Sequence, residues 1–168
     1  MNPNHLKSLG ARRRVRVLCI DDDPDISGGL RRWLAPYGIE VFRAFSGAQG
    51  YWTALEAKPD VIVCDLVMPD GEGHYVFGRL QRNPVTKDVP FIVLSGQTNP
   101  ALKGALLSMG AAAFLSKPIV FDLLVQELRP HLDFAERADA VPHVGGATKL
   151  HPRLERTGNE RQQDADRR

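Results

Sequence analysis

Short apolar runs and helical stripes alternate five times along this chain, and that rhythm constrains the fold more than any other feature. The runs occupy residues 15–20, 39–44, 61–65, 89–94 and 113–115. Apolar residues then recur at helical spacing: Ile26, Leu30, Trp33, Leu34 and Tyr37; Ala48, Tyr51, Trp52 and Leu55; Val76, Phe77 and Leu80; Leu102, Ala105, Leu106 and Met109; Phe121, Leu124, Val125, Leu128 and Leu132. Strands and helices that alternate at these lengths imply an α/β fold, a parallel sheet covered by helices on both faces. Residues 39–44 alternate apolar and polar, as an edge strand does. Residues 89–94 are almost continuously apolar and are expected inside the sheet. The aromatic and Met positions of the stripes are expected in the core. Gly38 and Gly110 stand where helices should stop. Gly28 and Gly29 each cost about 1 kcal/mol in a helix relative to Ala, for no reason legible in the sequence.

The 168 residues suffice for one domain and a tail. Residues 1–13 read as a flexible basic segment, 14–137 as the folded domain, and 138–168 as a disordered polar tail. The last stretch has too few apolar residues to offset its ordering entropy. Net charge is +2, with the basic excess concentrated at Arg12, Arg13, Arg14 and Arg16 and in the tail. No aromatic residues interleave with these cations as in nucleic-acid stacking platforms, so solvated ends are expected and no direct nucleic-acid contact. No apolar run is long enough to span a membrane, and the polar start leads into no signal-peptide core. Cys19 and Cys64 lie inside apolar runs without CxxC spacing and read as small buried hydrophobes. A reducing cytoplasm is the expected compartment.

The chemistry-bearing residues sit at the carboxyl ends of the runs, where open α/β sheets place their sites. Residues 15–20 run into Asp21, Asp22 and Asp23. The third run ends in Asp65, the fourth leads to Ser95, and the fifth to Ser116, Lys117 and Pro118. Three clustered carboxylates repel one another without a cation, and an all-oxygen set suits Mg²⁺. With a cation bound, Asp65 can stay ionised as a nucleophile toward phosphorus. Lys117 can neutralise a phosphoryl oxygen, and Ser95 can donate a hydrogen bond to another. Pro118 should make a rigid turn that aims the lysine, with a cis Lys117–Pro118 bond as one form of it.

Each part also has a plainer reading. Asp22, Asp23 and Pro24 could simply cap the first helix. Asp70-Gly71 could be only a turn, and Ser95 an incidental loop hydroxyl. All of them nevertheless fall at successive strand ends in order, which the separate plain readings do not account for.

Taken together, Asp21-Asp22-Asp23-Pro24, residues 59–73 around Asp65, Pro90 through Gly96, and Gly110 through Pro118 resemble the receiver domain of two-component response regulators. The resemblance implies a five-stranded, doubly wound flavodoxin-like sheet in the order 2-1-3-4-5. It implies that Asp65 accepts phosphate from a phosphohistidine of a histidine kinase or histidine phosphotransfer protein. Asp22 would be the main Mg²⁺ carboxylate, supported by Asp21 and Asp65, with the backbone carbonyl of Val67 as a further ligand. Ser95 and Lys117 would bind the phosphoryl oxygens. Phe114 falls where receivers keep an aromatic that changes rotamer as the hydroxyl residue moves. The output would be a protein partner read through the face of the fourth helix, fifth strand and fifth helix.

Three departures qualify the likeness. Gly96 stands where Ala is usual after the hydroxyl residue, and still leaves room for a phosphoryl group. Ala112 and Ala113 occupy places where many transcriptional receivers carry acids that join a salt-bridged dimer, so that dimer is not expected here. Phe114 lacks a hydroxyl, so a switch would act through packing. Two other readings compete. A haloacid-dehalogenase-type phosphatase also uses a strand-end Asp with Mg²⁺, but Pro24-Asp25 after Asp21-Asp22-Asp23 does not fit its nucleophile motif. A phosphate-independent scaffold usually loses an acid or the lysine, and all are present here. Beyond its own phosphorylation and dephosphorylation, no enzymatic activity is expected.

Overall fold

A computed structural model describes residues 14–68, 73–97 and 99–132. The segments 1–13 and 138–168, read above as flexible ends, lie outside the described residues, as does Asp70-Gly71. Along the chain run β1 (Arg16–Ile20), α1 (Pro24–Leu34), β2 (Glu40–Ala44), α2 (Gly47–Ala57), β3 (Val61–Asp65), α3 (Gly73–Arg82), β4 (Phe91–Ser95), α4 (Pro100–Ser108), β5 (Ala113–Ser116) and α5 (Phe121–Leu128). The strands form one parallel sheet in the order β2-β1-β3-β4-β5. This is the doubly wound order that the resemblance implied.

Strand side chains alternate between the two faces, and each face has its own core. Val17, Cys19, Val61, Val63, Ile92 and Leu94 meet α1 and α5 through Ile26, Leu30, Leu124 and Leu128. Leu18, Ile20, Ile62, Cys64, Phe91 and Val93 meet the helices of the other face through Ala54, Phe77, Leu80 and Leu106. β3 and β4 are buried along their whole length, whereas β2 is half-buried at the edge. The Phe77 and Phe91 rings lie 4.8 Å apart and seat α3 on the sheet. Full burial of such a side chain contributes about 2–3 kcal/mol.

Local chemistry sets the helix starts. Asp23 caps α1 by accepting from the Asp25 N–H, with Pro24 in the first turn. Ser46 accepts from the Gln49 N–H while Gln49 Oε1 accepts from the Phe45 N–H, a reciprocal cap on α2. Gly38 closes the first helical segment at φ 71°, a conformation that favours glycine.

Two stripes differ from the sequence expectation. In α2 the buried residues are Gly47, Gly50, Ala54 and Ala57, while Trp52 is 67% exposed. The cause is close approach. A Cβ on Gly50 would lie 2.5 Å from Ile20 Cδ1, so this helix lies on β1 through its small residues and turns Trp52 outward, while Tyr51 stays half-buried against the core. In α4 only Leu106 is buried, and Met109 is 54% exposed. α4 lies over the edge strand β5, where a helix covers only a narrow strip of sheet.

Candidate phosphoryl-acceptor site

Parallel strands bring their carboxyl ends to one edge, and the register fixes who meets whom. Ile20 pairs with Cys64, Asp65 with Leu94, and Ser95 with Ser116. Asp21, Asp65, Ser95 and Lys117 therefore line up across four strand ends. Asp21 and Ser95 are fully buried and Asp65 nearly so, whereas Asp22 is exposed.

Lys117 ties the site together. Its ammonium donates to Asp65 Oδ2 at 2.6 Å and to Asp21 Oδ2 at 2.9 Å. Its backbone N–H donates to the Ser95 carbonyl at 2.7 Å, which fixes the lysine to the end of β4. The Lys117–Pro118 peptide is cis. The second Asp65 oxygen accepts from the Val67 N–H at 3.1 Å. Asp21 Oδ1 accepts from the Asp23 N–H at 2.9 Å, which folds the acidic loop back on itself. Ser95 Oγ accepts from the Gln97 N–H at 2.9 Å. A Cβ on Gly96 would touch nothing within 4 Å, so the approach beside Ser95 is open.

Burial pushes the Asp21 carboxyl above its ordinary range, against the opposing pull of Lys117. Burial would lower the Lys117 pKa, but hydrogen bonds to Asp65 and Asp21 outweigh it and the ammonium is held above its ordinary value. Burial also pushes the Cys19 and Cys64 thiols up. Both are free and buried, as small hydrophobes are.

Asp21, Asp22 and Asp65 can each point an oxygen to within 4.8 Å of the others. Lys117 neutralises one of the three charges, which leaves two for a divalent ion. The donors are all oxygen, the set a hard cation such as Mg²⁺ prefers. The residues present thus fit that ion. The capping and ligand readings of the acidic run divide by residue: Asp23 caps the helix, and Asp21 and Asp22 face the cluster.

Phe114 lies in β5, buried in the same core as Leu106 and Ala111. The Lys103 ammonium of α4 stands 5.9 Å from its ring centroid. Sequence reasoning missed Arg43 and Ser27. Arg43 Nε donates to the buried Ser27 hydroxyl at 2.8 Å, and its Nη2 donates to the Pro24 carbonyl at 3.0 Å. The neighbouring Ala44 carbonyl accepts from the Asp21 N–H. The end of β2 thus grips the acidic loop at both ends. The only sequence signal was a serine on the buried face of α1, opposite a cation on an edge strand.

Among the described residues no helix is long and apolar enough to cross a membrane. The family profile of the response regulator receiver domain matches residues 17–129. The DNA-binding dual master transcriptional regulator RpaA of Synechocystis is 34% identical over 137 residues, covering 80% of this chain and 55% of that relative. A probable cyclic di-GMP phosphodiesterase of Vibrio cholerae is 29% identical over 166 residues, covering 98% of this chain and 37% of that relative. The chain therefore spans about half or less of the length of these curated relatives. The name of RpaA includes DNA binding, which runs against the expectation of no nucleic-acid contact. The crystal structure of the chemotaxis protein CheY4 of Vibrio cholerae superimposes with a TM-score of 0.66 at 28% identity, covering 71% of this chain and all of that one. On sequence, strand order and the placement of its acidic edge, this chain belongs to the response regulator receiver domain family of two-component signalling.

Proposed function

We propose that Asp65 is the phosphoryl acceptor of a phosphorylation-driven switch, in a domain spanning residues 14–137. The observation that carries this reading is the Asp65 carboxylate at an open strand end, paired with Lys117 at 2.6 Å and clustered with Asp21 and Asp22. Asp21, Asp22 and Asp65, with the backbone carbonyl of Val67, would hold Mg²⁺. The ion would supply charge neutralisation for an incoming phosphoryl group.

An oxygen of Asp65 attacks the phosphorus of a phosphohistidine on a kinase or phosphotransfer protein. The P–N bond breaks, an acyl phosphate forms, and the imidazole leaves. Lys117 then pairs with one phosphoryl oxygen. Ser95 turns from the Gln97 N–H to donate its hydroxyl proton to another. That movement vacates space beside β4, and Phe114 repacks into it. The surface of α4, β5 and α5 changes with Phe114, and a partner protein reads it. Turnover is confined to the domain's own phosphorylation and dephosphorylation. With free thiols at Cys19 and Cys64, a reducing cytoplasm is the proposed compartment.

Incubation with acetyl phosphate tests the reading. With Mg²⁺ the intact mass should rise by one phosphoryl group, and with EDTA it should not. Uptake that is independent of the divalent ion, or its absence at saturating donor, would refute it.

A further inference from the structure

The surface of α2 and α3 carries a cluster that the phosphoryl site does not use. Trp52 is 67% exposed and Tyr75 is 62% exposed. The Arg79 guanidinium carbon stands 4.0 Å from the Tyr51 ring centroid and 5.8 Å from that of Tyr75. Trp52 meets Tyr51 edge to face at 5.5 Å, and Asn83 donates to the Tyr51 hydroxyl at 3.0 Å. Four side chains from two helices thus form one connected array at the surface.

Trp52 and Tyr75 are not part of the core, because α2 lies on the sheet through Gly47, Gly50, Ala54 and Ala57, with Tyr51 half-buried against it. Scattered exposed aromatics need no explanation, but a contiguous Trp, Tyr and Arg set is the composition of binding hot spots. Cation–π contacts and the Asn83 bond hold the array in place, so little side-chain entropy remains to be lost on binding. The charge on α3 is one-sided. α3 contains no acid, and Arg79 and Arg82 are both exposed on it.

We propose that Trp52, Tyr51, Tyr75 and Arg79 form a docking site for an acidic segment of a partner protein, with apolar side chains seated on the rings and carboxylates on Arg79 and Arg82. The site is separate from the face of α4, β5 and α5. A nucleic-acid strand fits less well, since a phosphate backbone needs a continuous track of cations. Here the exposed Glu56 lies one helical turn after Trp52, on the same side of α2, and interrupts any such track.

Amide chemical-shift titration of the full chain tests this. The probe is a synthetic 15-residue peptide that alternates Glu or Asp with Leu or Phe. The controls are the same peptide with Gln and Asn in place of the acids, and oligothymidylate of equal length. The expected result is saturable shifts at α2 and α3, including the Trp52 indole N–H, for the acidic peptide alone. Arg79→Glu and Trp52→Ala should each weaken binding at least about tenfold. Both side chains are exposed, so thermal melts and acetyl-phosphate labelling of the two variants should match wild type, which keeps this site's failure distinct from that of the phosphoryl reading. No saturable shift, equal binding of the neutral peptide, preference for oligothymidylate, shifts centred on α4 and α5, or unchanged affinity in both variants would each overturn it.

Discussion

The Lys117 ammonium lies 2.6 Å from Asp65 Oδ2, reaching past β4 from the end of β5 to the end of β3. The same nitrogen holds Asp21 at 2.9 Å, and both carboxylates are almost fully withdrawn from solvent. The lysine is therefore the counter-ion of the acidic cluster, and under the proposed function it is also the group that would meet a phosphoryl oxygen.

Removing that ammonium leaves two buried carboxylates without a partner. Breaking such a pair from one side costs about 3 kcal/mol or more. Lys117→Met should therefore lower urea stability by about 3 kcal/mol in EDTA. A bound divalent ion substitutes for the lost charge and stabilises through linkage. The Mg²⁺-induced gain should thus be larger in Lys117→Met than in wild type, and it should largely vanish in Asp22→Ala. Equal Mg²⁺ gains in all three proteins would contradict the ligand assignment.

Asp21 and Lys117 give stability opposite pH signatures at opposite ends of the scale. Burial lifts the Asp21 carboxyl above its ordinary 3.8. An acid raised in the folded state binds more protons when folded, so its contribution falls as pH rises from 3.8 through the raised value. Lys117 is held above its ordinary 10.5 by Asp65 and Asp21, against the effect of burial. Its contribution is complete below 10.5 and is lost as pH rises through the raised value. In EDTA, the stability of wild type relative to Asp21→Asn should therefore decline across the mildly acidic range. Wild type relative to Lys117→Met should decline only above 10.5. Saturating Mg²⁺ should suppress the first decline. A relative stability that rises with pH in the acidic window would contradict the burial argument.

Gly50 and Gly78 both sit in helices, yet they should respond oppositely to Ala. At Gly50 the new methyl would meet Ile20, a fully buried core residue, at 2.5 Å. Overpacking of that kind costs about 1–3 kcal/mol, more than the gain in helix propensity of about 1 kcal/mol. At Gly78 nothing lies within 4 Å. Gly78→Ala should stabilise by about 0.5–1 kcal/mol, and Gly50→Ala should destabilise by a similar amount or more. Denaturant midpoints at constant m-value measure both.

That contrast marks the boundary of what the sequence could reveal. Strand positions, the edge character of β2 and the burial of β3 and β4 were legible because a period of two and unbroken apolar runs are strong local signals. The acidic edge, Ser95 and Lys117 were legible because each falls at a strand end. The buried faces of α2 and α4 were not. Apolar periodicity pointed to Trp52 and Met109, whereas close packing selected Gly50, Ala54 and a narrow strip around Leu106. A small residue that allows close approach looks in sequence like one that packs nothing. The grip of Arg43 on Ser27 and Pro24 was hidden for a related reason, since it joins residues brought together only by the β1–β2 pairing.

If Ser95 and Phe114 couple Asp65 to the output face, phosphorylation should change hydrogen exchange in residues 102–109 and 113–124. Allosteric biases of this kind amount to about 1–3 kcal/mol, enough to shift protection of local openings. Phe114→Ala should keep phosphorylation and lose most of the exchange difference. A difference confined to the loops after β1 and β3 would favour a phosphate shuttle over a switch.

Under the proposed function one carboxylate, Asp65, becomes an acyl phosphate. Borohydride reduces an acyl phosphate to the alcohol, which converts a phosphorylated Asp to homoserine at its own position. Protein treated with acetyl phosphate and Mg²⁺, reduced and digested should yield homoserine at residue 65 alone, and Asp65→Asn should yield none. Homoserine at residue 21 or 22, or undiminished labelling of Asp65→Asn, would contradict the account.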